Sequence, residues 1–418
     1  MCATMADREH IVLPPPYDRL HRHDMIPDIT HDEMARFNFI TNLNFHLNQS
    51  IAPGNKVAFE RQAQPAFEKQ AGRKIESEQD VRSAMAMCPQ YQSWAALRRN
   101  SMEMRQQAGR STVLRQIQSL NSKAQYYNTN KSTLALNADT EVPRYLSSVD
   151  NHCMPGSYYT ELVRDDVGAG ANYDTGSFCT TAGSMSCRGD GAGRTIVNFL
   201  KRQFPNFQPK RILDIGAGIG VNVLPFADAF PDAEIFAVDV SAPMLRYGHA
   251  RAQAMKYNKV HFMQMDGEHL DFSSESFDWI QTTMFWHETS VAAFRNMLQS
   301  IFDKLVPGGL TLHIEQPNFR SDTPPYDRFV RNWDAWYNNE PFWSKFHTMN
   351  VMVEMKKAGF QNEDMFEALV AADLEQGIYP SWSGTASRHK HEQKGIKRDK
   401  KGARKGEGWY LFGARKAG

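Results

Sequence analysis

The sequence predicts an α/β protein, a doubly wound and largely parallel sheet preceded by a mainly helical N-terminal region. Three observations predict it. From about residue 191 to the C-terminus, strand-like and helix-like segments alternate. A glycine-rich turn joins the first of these strands to the first helix. Residues 1–190, by contrast, show helical spacing in their first two thirds and loop-like composition thereafter. The expected units are therefore a helical region with a loop-rich lid segment over 1–190 and an α/β domain over 191–418.

The N-terminal elements follow from periodicity. After a Pro-rich lead, "HDEMARFNFITNLNFHLNQSI" from His31, "VAFERQAQPAFEKQAG" from Val57 and the long run from Glu76 to Gln125 carry apolar residues at helical intervals. Ser77, followed by acids in the next turn, is a candidate helix cap. From about Asn128 to Gly193 periodicity fades, and Gly, Asp and Tyr are mixed as in loops. Tyr158, Tyr159 and Tyr173 lie there as candidate lid residues.

In the second part, strands are expected at "RILDIGA", "EIFAVDV", "VHFMQMD", "FDWIQTTMF" and "LTLHIEQ", separated by helices through "GVNVLPFADAF", "APMLRYGHARAQAMKY" and "SVAAFRNMLQSIFDKL". The turn "VPGG" precedes the fifth strand. Two final segments, "MFEALV" and "WYLFGARK", read as a hairpin-like ending that adds an antiparallel strand to the sheet.

Composition limits the function classes. Lys and Arg number 48 against 47 acids, so no global charge steers the chain to nucleic acid or a membrane. No run of eighteen apolar residues exists, and no basic flank precedes a hydrophobic N-terminal segment, so a cytoplasmic location without membrane contact is expected. One asymmetry stands out. Residues 388–408 hold nine Lys or Arg against three acids, either a solvated loop or an anion- or RNA-binding element. Five cysteines lack any zinc-type CxxC pair, so reduced thiols and no metal are expected; the alternative is a soft-metal site from Cys153, Cys179 and Cys187.

The glycine turn narrows the ligand. Gly216, Gly218 and Gly220 follow the first strand of the sheet, where ligands bind beyond the strands' carboxyl ends. Asp239 ends the second strand, placed to accept hydrogen bonds from both hydroxyls of a ribose. A dinucleotide fingerprint is ruled out because Val221 occupies the position of its third glycine, and no GK[ST] follows as a P-loop needs. Asp214, two residues before the first glycine, would repel a pyrophosphate and suits a nucleoside ligand bearing an ammonium group.

"LDIGAGIG", "AVDVSAPML", "MDGEHLDF", "SFDWIQTTMFWHE" and "LVPGGLTLHIEQP" resemble the successive motifs of class I S-adenosylmethionine-dependent methyltransferases, over roughly residues 195 to the C-terminus. The N-terminal half resembles no family. The resemblance implies a Rossmann-like seven-stranded sheet of order 3-2-1-4-5-7-6 and S-adenosyl-L-methionine as cofactor. It implies that Asp214, Gly216, Ala217, Gly218 and Gly220 line the methionine moiety. Asp239, Val240, Ser241 and Met244 would hold the ribose and adenine side, Asp266 and Gly267 the adenine, and Met284 with Phe285 the sulfonium.

Methyl transfer from a sulfonium asks mainly for alignment and exclusion of water, although an amine or hydroxyl acceptor also needs a base. His287, Glu288 and Glu315, after the fourth and fifth strands, are the candidate catalytic residues. His287 could equally cap the following helix, and Glu315, like Gln316, could either bind a polar acceptor or tie down the cofactor loop. The aromatic segment "PPYDRFVRNWDAWYNNEPFW" suits a cationic or planar acceptor, or packs on the helical half.

The expected function is methylation of a small molecule at O, N or S. The rivals are an RNA or protein methyltransferase using 388–408, and a non-catalytic S-adenosylmethionine-binding module. The expected partner is a small-molecule acceptor rather than nucleic acid. The N-terminal region would select the acceptor, form a homodimer, or both.

Overall fold

The computed structural model describes residues 13–129, 132–370 and 409–418. The basic run 388–408 and Cys2 lie outside the described residues. Eight strands form one mixed sheet: β1 (Leu134–Ala135), β2 (Arg211–Ile215), β3 (Glu234–Asp239), β4 (Val260–Gln264), β5 (Phe277–Thr283), β6 (Leu305–Glu315), β7 (Met365–Val370) and β8 (Trp409–Arg415). Their order is β1-β4-β3-β2-β5-β6-β8-β7. β1 through β6 pair in parallel, and β8 runs antiparallel between β6 and β7.

The expectation of seven strands is thus corrected to eight: the order differs from the expected one by β1 at the β4 edge, and the other seven strands stand as 3-2-1-4-5-7-6. The added strand, β1, comes from the segment read as loop and extends the β4 edge through Leu134 opposite Phe262. Two residues are too few to carry an alternating pattern, which is why periodicity could not reveal it. The expected "VPGG" turn is also absorbed into β6. Gly308 there has φ 77°, and the β5–β6 register shifts between Phe277 and Trp279.

The strands are apolar on both faces, as a sheet covered by helices on both sides requires. One core layer joins Ile212, Ile235, Trp279 and Leu312 to the helices Gly191–Gln203 and Val223–Ala229. The opposite layer joins Leu213, Ile280 and Phe412 to Val291–Lys304 and Val351–Lys357. Among the described residues no helix is long and apolar enough to cross a membrane.

The N-terminal part is helical as expected. Helix His31–His46 continues through two wider turns to Ala71, and Pro89–Leu114 is the longest α-helix without such a turn among the described residues. Ser77 does cap helix Glu78–Ala86, its Oγ accepting from Asp80 N–H at 3.1 Å while Asp80 accepts from Ser77 N–H.

The segment expected to be loop contains a further helix, Gly168–Thr180, whose residues are mostly buried on all sides. A helix buried all round shows no polar stripe, so amphipathicity could not announce it. Its glycines permit close approach. A Cβ at Gly170 would stand 2.4 Å from Tyr247 Cβ, and one at Gly176 would stand 2.3 Å from Arg105 Nε. The helix therefore fits between Ala242–Ala254 of the sheet domain and Pro89–Leu114. Across this joint, Asp174 Oδ2 meets His23 Nε2 at 3.0 Å and Arg251 Nε at 3.2 Å, and accepts from Tyr247 O–H at 2.9 Å.

Candidate active site

A cavity of about 380 Å³ opens at the carboxyl ends of β2 to β6, within the size range of small-molecule sites. The strand-end loops supply Gly216, Ala217, Gly218, Asp239, Val240, Met244, Gly267, Met284, Phe285, His287 and Glu288 to its lining. The helical part supplies Arg105, His152, Tyr158 and Tyr173. The helices and loop after β6 supply Asp334, Asn338, Glu340 and Trp343.

The glycine loop is shaped for close approach. Gly216 and Gly218 take φ of 70° and 55°, and a Cβ at Gly216 would lie 2.2 Å from Phe285 Cδ2. Asp239 is held at the tip of β3, its Oδ2 accepting from Gly218 N–H and its Oδ1 from Ser241 N–H, each at 2.9 Å. Burial pushes its carboxyl upward, against the pull of these N–H donors. Each oxygen keeps a lone pair for a ligand hydroxyl.

Five candidate residues are not brought to the cavity lining. Asp214 still belongs to β2 and points from a sheet face, where it is buried and accepts from Gln281 Nε2 of β5. Burial raises its carboxyl well above the usual range, and its Oδ2 has no hydrogen-bond partner. Gly220 backs onto Phe262. Ser241 caps Ala242–Ala254 and donates its hydroxyl to Tyr158 O at 2.7 Å. Asp266 turns away to Glu268 N–H and His269 Nδ1, leaving Met265 and Gly267 on the wall.

Glu315 is the fifth. It is fully buried, and its Oε1 accepts from Phe285 N–H at 2.8 Å and Trp286 N–H at 2.7 Å. Its Oε2 lies 2.7 Å from His287 Nδ1. Of the two roles open to Glu315, the arrangement is that of a loop anchor: it fixes the turn after β5 and the orientation of His287.

His287 is 2% exposed and faces two further carboxylates. Burial opposes its charge, but Glu315, Glu340 and Glu288 together raise it to about 9. Both of its ring nitrogens look onto carboxylates, Nδ1 onto Glu315 and Nε2 onto Glu340, a setting that favours the charged form. Glu340, on the loop after β6, gave no sequence signal; burial pushes its carboxyl up to about 7 against the pull of His152. His152 lies in a left-handed backbone conformation, φ 53°, and its Nε2 stands 3.1 Å from Glu288 Oε1 and 3.3 Å from Glu340 Oε1. Burial opposes its charge as well, yet Glu340 and Glu288 raise it.

Arg105 is another residue that the sequence did not single out. It is 6% exposed and lines the cavity, and its Nε has no hydrogen-bond partner; among the described residues no acid pairs with it. Tyr158 and Tyr173 reach the cavity as lid candidates, while Tyr159 does not. Tyr173 belongs to the buried helix Gly168–Thr180, a fixed wall.

The aromatic segment divides. Tyr326 and Trp333 pack with Tyr91 and Trp94 of the helical part, and Trp343 faces the cavity with its ring 4.6 Å from that of His287. The three cysteines do not form a site together: Cys153 Sγ faces Asn338 Oδ1 and Cys179 Sγ faces Phe37 O. The side-chain group among the described residues that could hold a metal contains no cysteine.

Residues 212–309 match a family model described as a methyltransferase domain. A demethylmenaquinone methyltransferase of Thermus thermophilus is 31% identical over 109 residues, 26% of this chain and 48% of the relative. A trans-aconitate 2-methyltransferase of Rhodopseudomonas palustris is 31% identical over 84 residues, 19% of this chain and 33% of the relative. The structure of phosphoethanolamine N-methyltransferase 2 of Haemonchus contortus, in complex with S-adenosyl-L-methionine, is 16% identical, covers 53% of this chain and 52% of that one, and has a TM-score of 0.37. The chain thus spans about half the length of these curated relatives or less.

Proposed function

We propose, for a chain whose residues 212–309 form a methyltransferase domain, that it transfers a methyl group from S-adenosyl-L-methionine to an anionic small molecule. The carrying observation is the single cavity shared by the Gly216–Gly218 loop, Asp239 and Arg105. The residues fit the donor. Gly216 and Gly218 take left-handed φ at the cavity wall, and Asp239 is oriented by two backbone donors with acceptor capacity to spare. Gly216, Ala217, Gly218, Asp239, Val240, Met244 and Gly267 would hold it. When bound, the donor supplies a methyl group on a positively charged sulfur.

What remains is done by the chain. Phe285 and Met284 shape the wall where the reacting atoms would meet, Met284 taking a left-handed conformation with φ 50°. Tyr158, Tyr173 and Trp343 exclude water from a step that is dominated by alignment. A buried guanidinium without a carboxylate is costly, and an anionic group on the acceptor would offset that cost.

The names of the relatives favour small acceptors, and trans-aconitate is itself anionic; the family-model match begins at residue 212, after Arg105. Calorimetry with S-adenosylhomocysteine tests the donor site: Asp239→Ala is expected to bind about 10–100-fold more weakly than the native chain, because hydrogen bonds to a charged group are lost. Equal affinities would remove the assignment. For the acceptor, small carboxylates and phosphates are expected to raise the melting temperature of the native chain and not of Arg105→Met; stabilisation of both alike would overturn the anionic class.

A further inference from the structure

We propose that His152, His287, Glu288 and Glu340 form a binding site for one divalent first-row transition-metal ion on the wall of the cavity. One ligand atom each from His152, His287 and Glu288 lies within 4.8 Å of the others, a spacing that bonds of about 2 Å to a common centre can close. Glu340 completes the set. Its Oε1 is 3.3 Å from His152 Nε2, and its Oε2 faces His287 Nε2 at 3.6 Å, beyond hydrogen-bond distance.

Two features point to a ligand rather than to a closed salt-bridge network. Glu340 Oε2 is buried, on a side chain only 2% exposed, and has no hydrogen-bond partner. An orphaned buried carboxylate oxygen is expensive unless something absent from the chain satisfies it. The second feature is the posture of His287. Glu315 already accepts from two backbone N–H groups and takes Nδ1 of His287 at 2.7 Å, which directs Nε2 into the cluster. A carboxylate behind an imidazole whose other nitrogen faces an ion is the usual support of a histidine ligand.

The donor set selects the metal. Two imidazoles with two carboxylates suit zinc, iron, cobalt or nickel, whereas magnesium and calcium prefer oxygen alone. That the ion holds an anionic oxygen or sulfur of the acceptor rests on the methyl-transfer reading; its binding does not.

Metal uptake by the full chain, stripped with a chelator and then equilibrated with Zn²⁺, tests the site without any methyl donor. The native chain is expected to retain one equivalent more than His152→Ala or Glu340→Gln, and Glu315→Gln is expected to hold that ion roughly 10–100-fold more weakly. Circular dichroism confirms that the variants are folded. Should they not fold, Co²⁺ added to the native chain provides the second readout, with visible d–d absorption of the intensity of a four- or five-coordinate ion expected. Equal Zn²⁺ uptake by folded variants and native chain, or a Co²⁺ spectrum no different from the free ion, would overturn the proposal and leave a protonated histidine pair. S-adenosylhomocysteine binding, measured separately on the native chain, shows whether the donor reading stands or fails on its own.

Discussion

The two sides of the cavity are built by opposite means. On the sheet side, the lining residues sit at the ends of neighbouring strands and their positions follow from backbone geometry: Gly216 and Gly218 at left-handed φ, Asp239 pinned by two N–H groups. On the helical side, Arg105, His152 and Tyr173 come from separate segments and are placed by side-chain packing around helix Gly168–Thr180. The sheet side can therefore be damaged locally, whereas the helical side depends on the joint that holds it to the sheet.

Breaking that joint should have the largest effect. Asp174 carries the charge opposite Arg251 and His23 and accepts from Tyr247, all buried. Asp174→Asn leaves the Arg251 guanidinium without its carboxylate, for an expected loss of about 3–5 kcal/mol in chemical denaturation. The pH dependence follows from the same contact. Burial opposes the charge of Asp174, but Arg251 and His23 prevail and hold its carboxyl well below the usual range. Its contribution is thus present above the unfolded value of about 4 and is lost as pH falls below it. Between pH 6 and pH 3 the native chain should lose more stability than the variant; parallel curves would show that the joint does not depend on this charge.

The complementary test strikes the sheet side. In Gly216→Val the side chain must displace the Phe285 ring and sit at φ 70°, which a β-branched residue strongly disfavours. S-adenosylhomocysteine affinity should fall at least about 100-fold, or roughly 2.7 kcal/mol, with little loss of global stability because the change lies in a loop. Unfolding rather than loss of affinity would show that the two sides are not separable in this way.

This contrast explains what the sequence revealed. The strand-end residues Gly216, Asp239, Gly267 and Phe285 were legible because a doubly wound sheet brings successive strand ends together, whatever lies between them. For Asp214 and Asp266 the strand pattern gives the position but not the side-chain direction, one turning to a sheet face and the other to its own loop. Helix Gly168–Thr180 has the composition of a loop because it is buried all round and rich in glycine. His152, Arg105 and Glu340 carried no signal at all, since their nearness exists only after three segments have packed. The motif at the end of the fifth strand of the glycine-turn domain marks Glu315, but only its contacts with Phe285, Trp286 and His287 separate an anchor from an acceptor-binding residue.

A smaller effect is expected from overfilling the same buried helix. The Cβ of Gly176→Val would meet Arg105 Nε at 2.3 Å, a flexible side chain that can move where backbone could not. The cost in denaturation should be about 1–3 kcal/mol, as for overpacked cores. Because Arg105 must yield toward the cavity or away from it, any stabilisation by anionic ligands should weaken in this variant while S-adenosylhomocysteine binding is unchanged. Loss of both would mean that the helical side also shapes the donor site.

The smallest effect should come from the aromatic segment after β6, which touches both regions through different rings. Trp343 faces His287 and donates its indole N–H to Arg331 O at 2.6 Å, whereas Trp336 is 57% exposed and only carries the Arg82 guanidinium 3.8 Å from its ring. An exposed cation–π pair contributes about 0.5–1 kcal/mol. Trp336→Ala should therefore cost no more than that in denaturation and leave methyl transfer and ligand binding as in the native chain. If Trp336→Ala instead impaired ligand binding as strongly as Trp343→Ala, the segment would be acting as one aromatic surface, and its division between packing and cavity would be wrong.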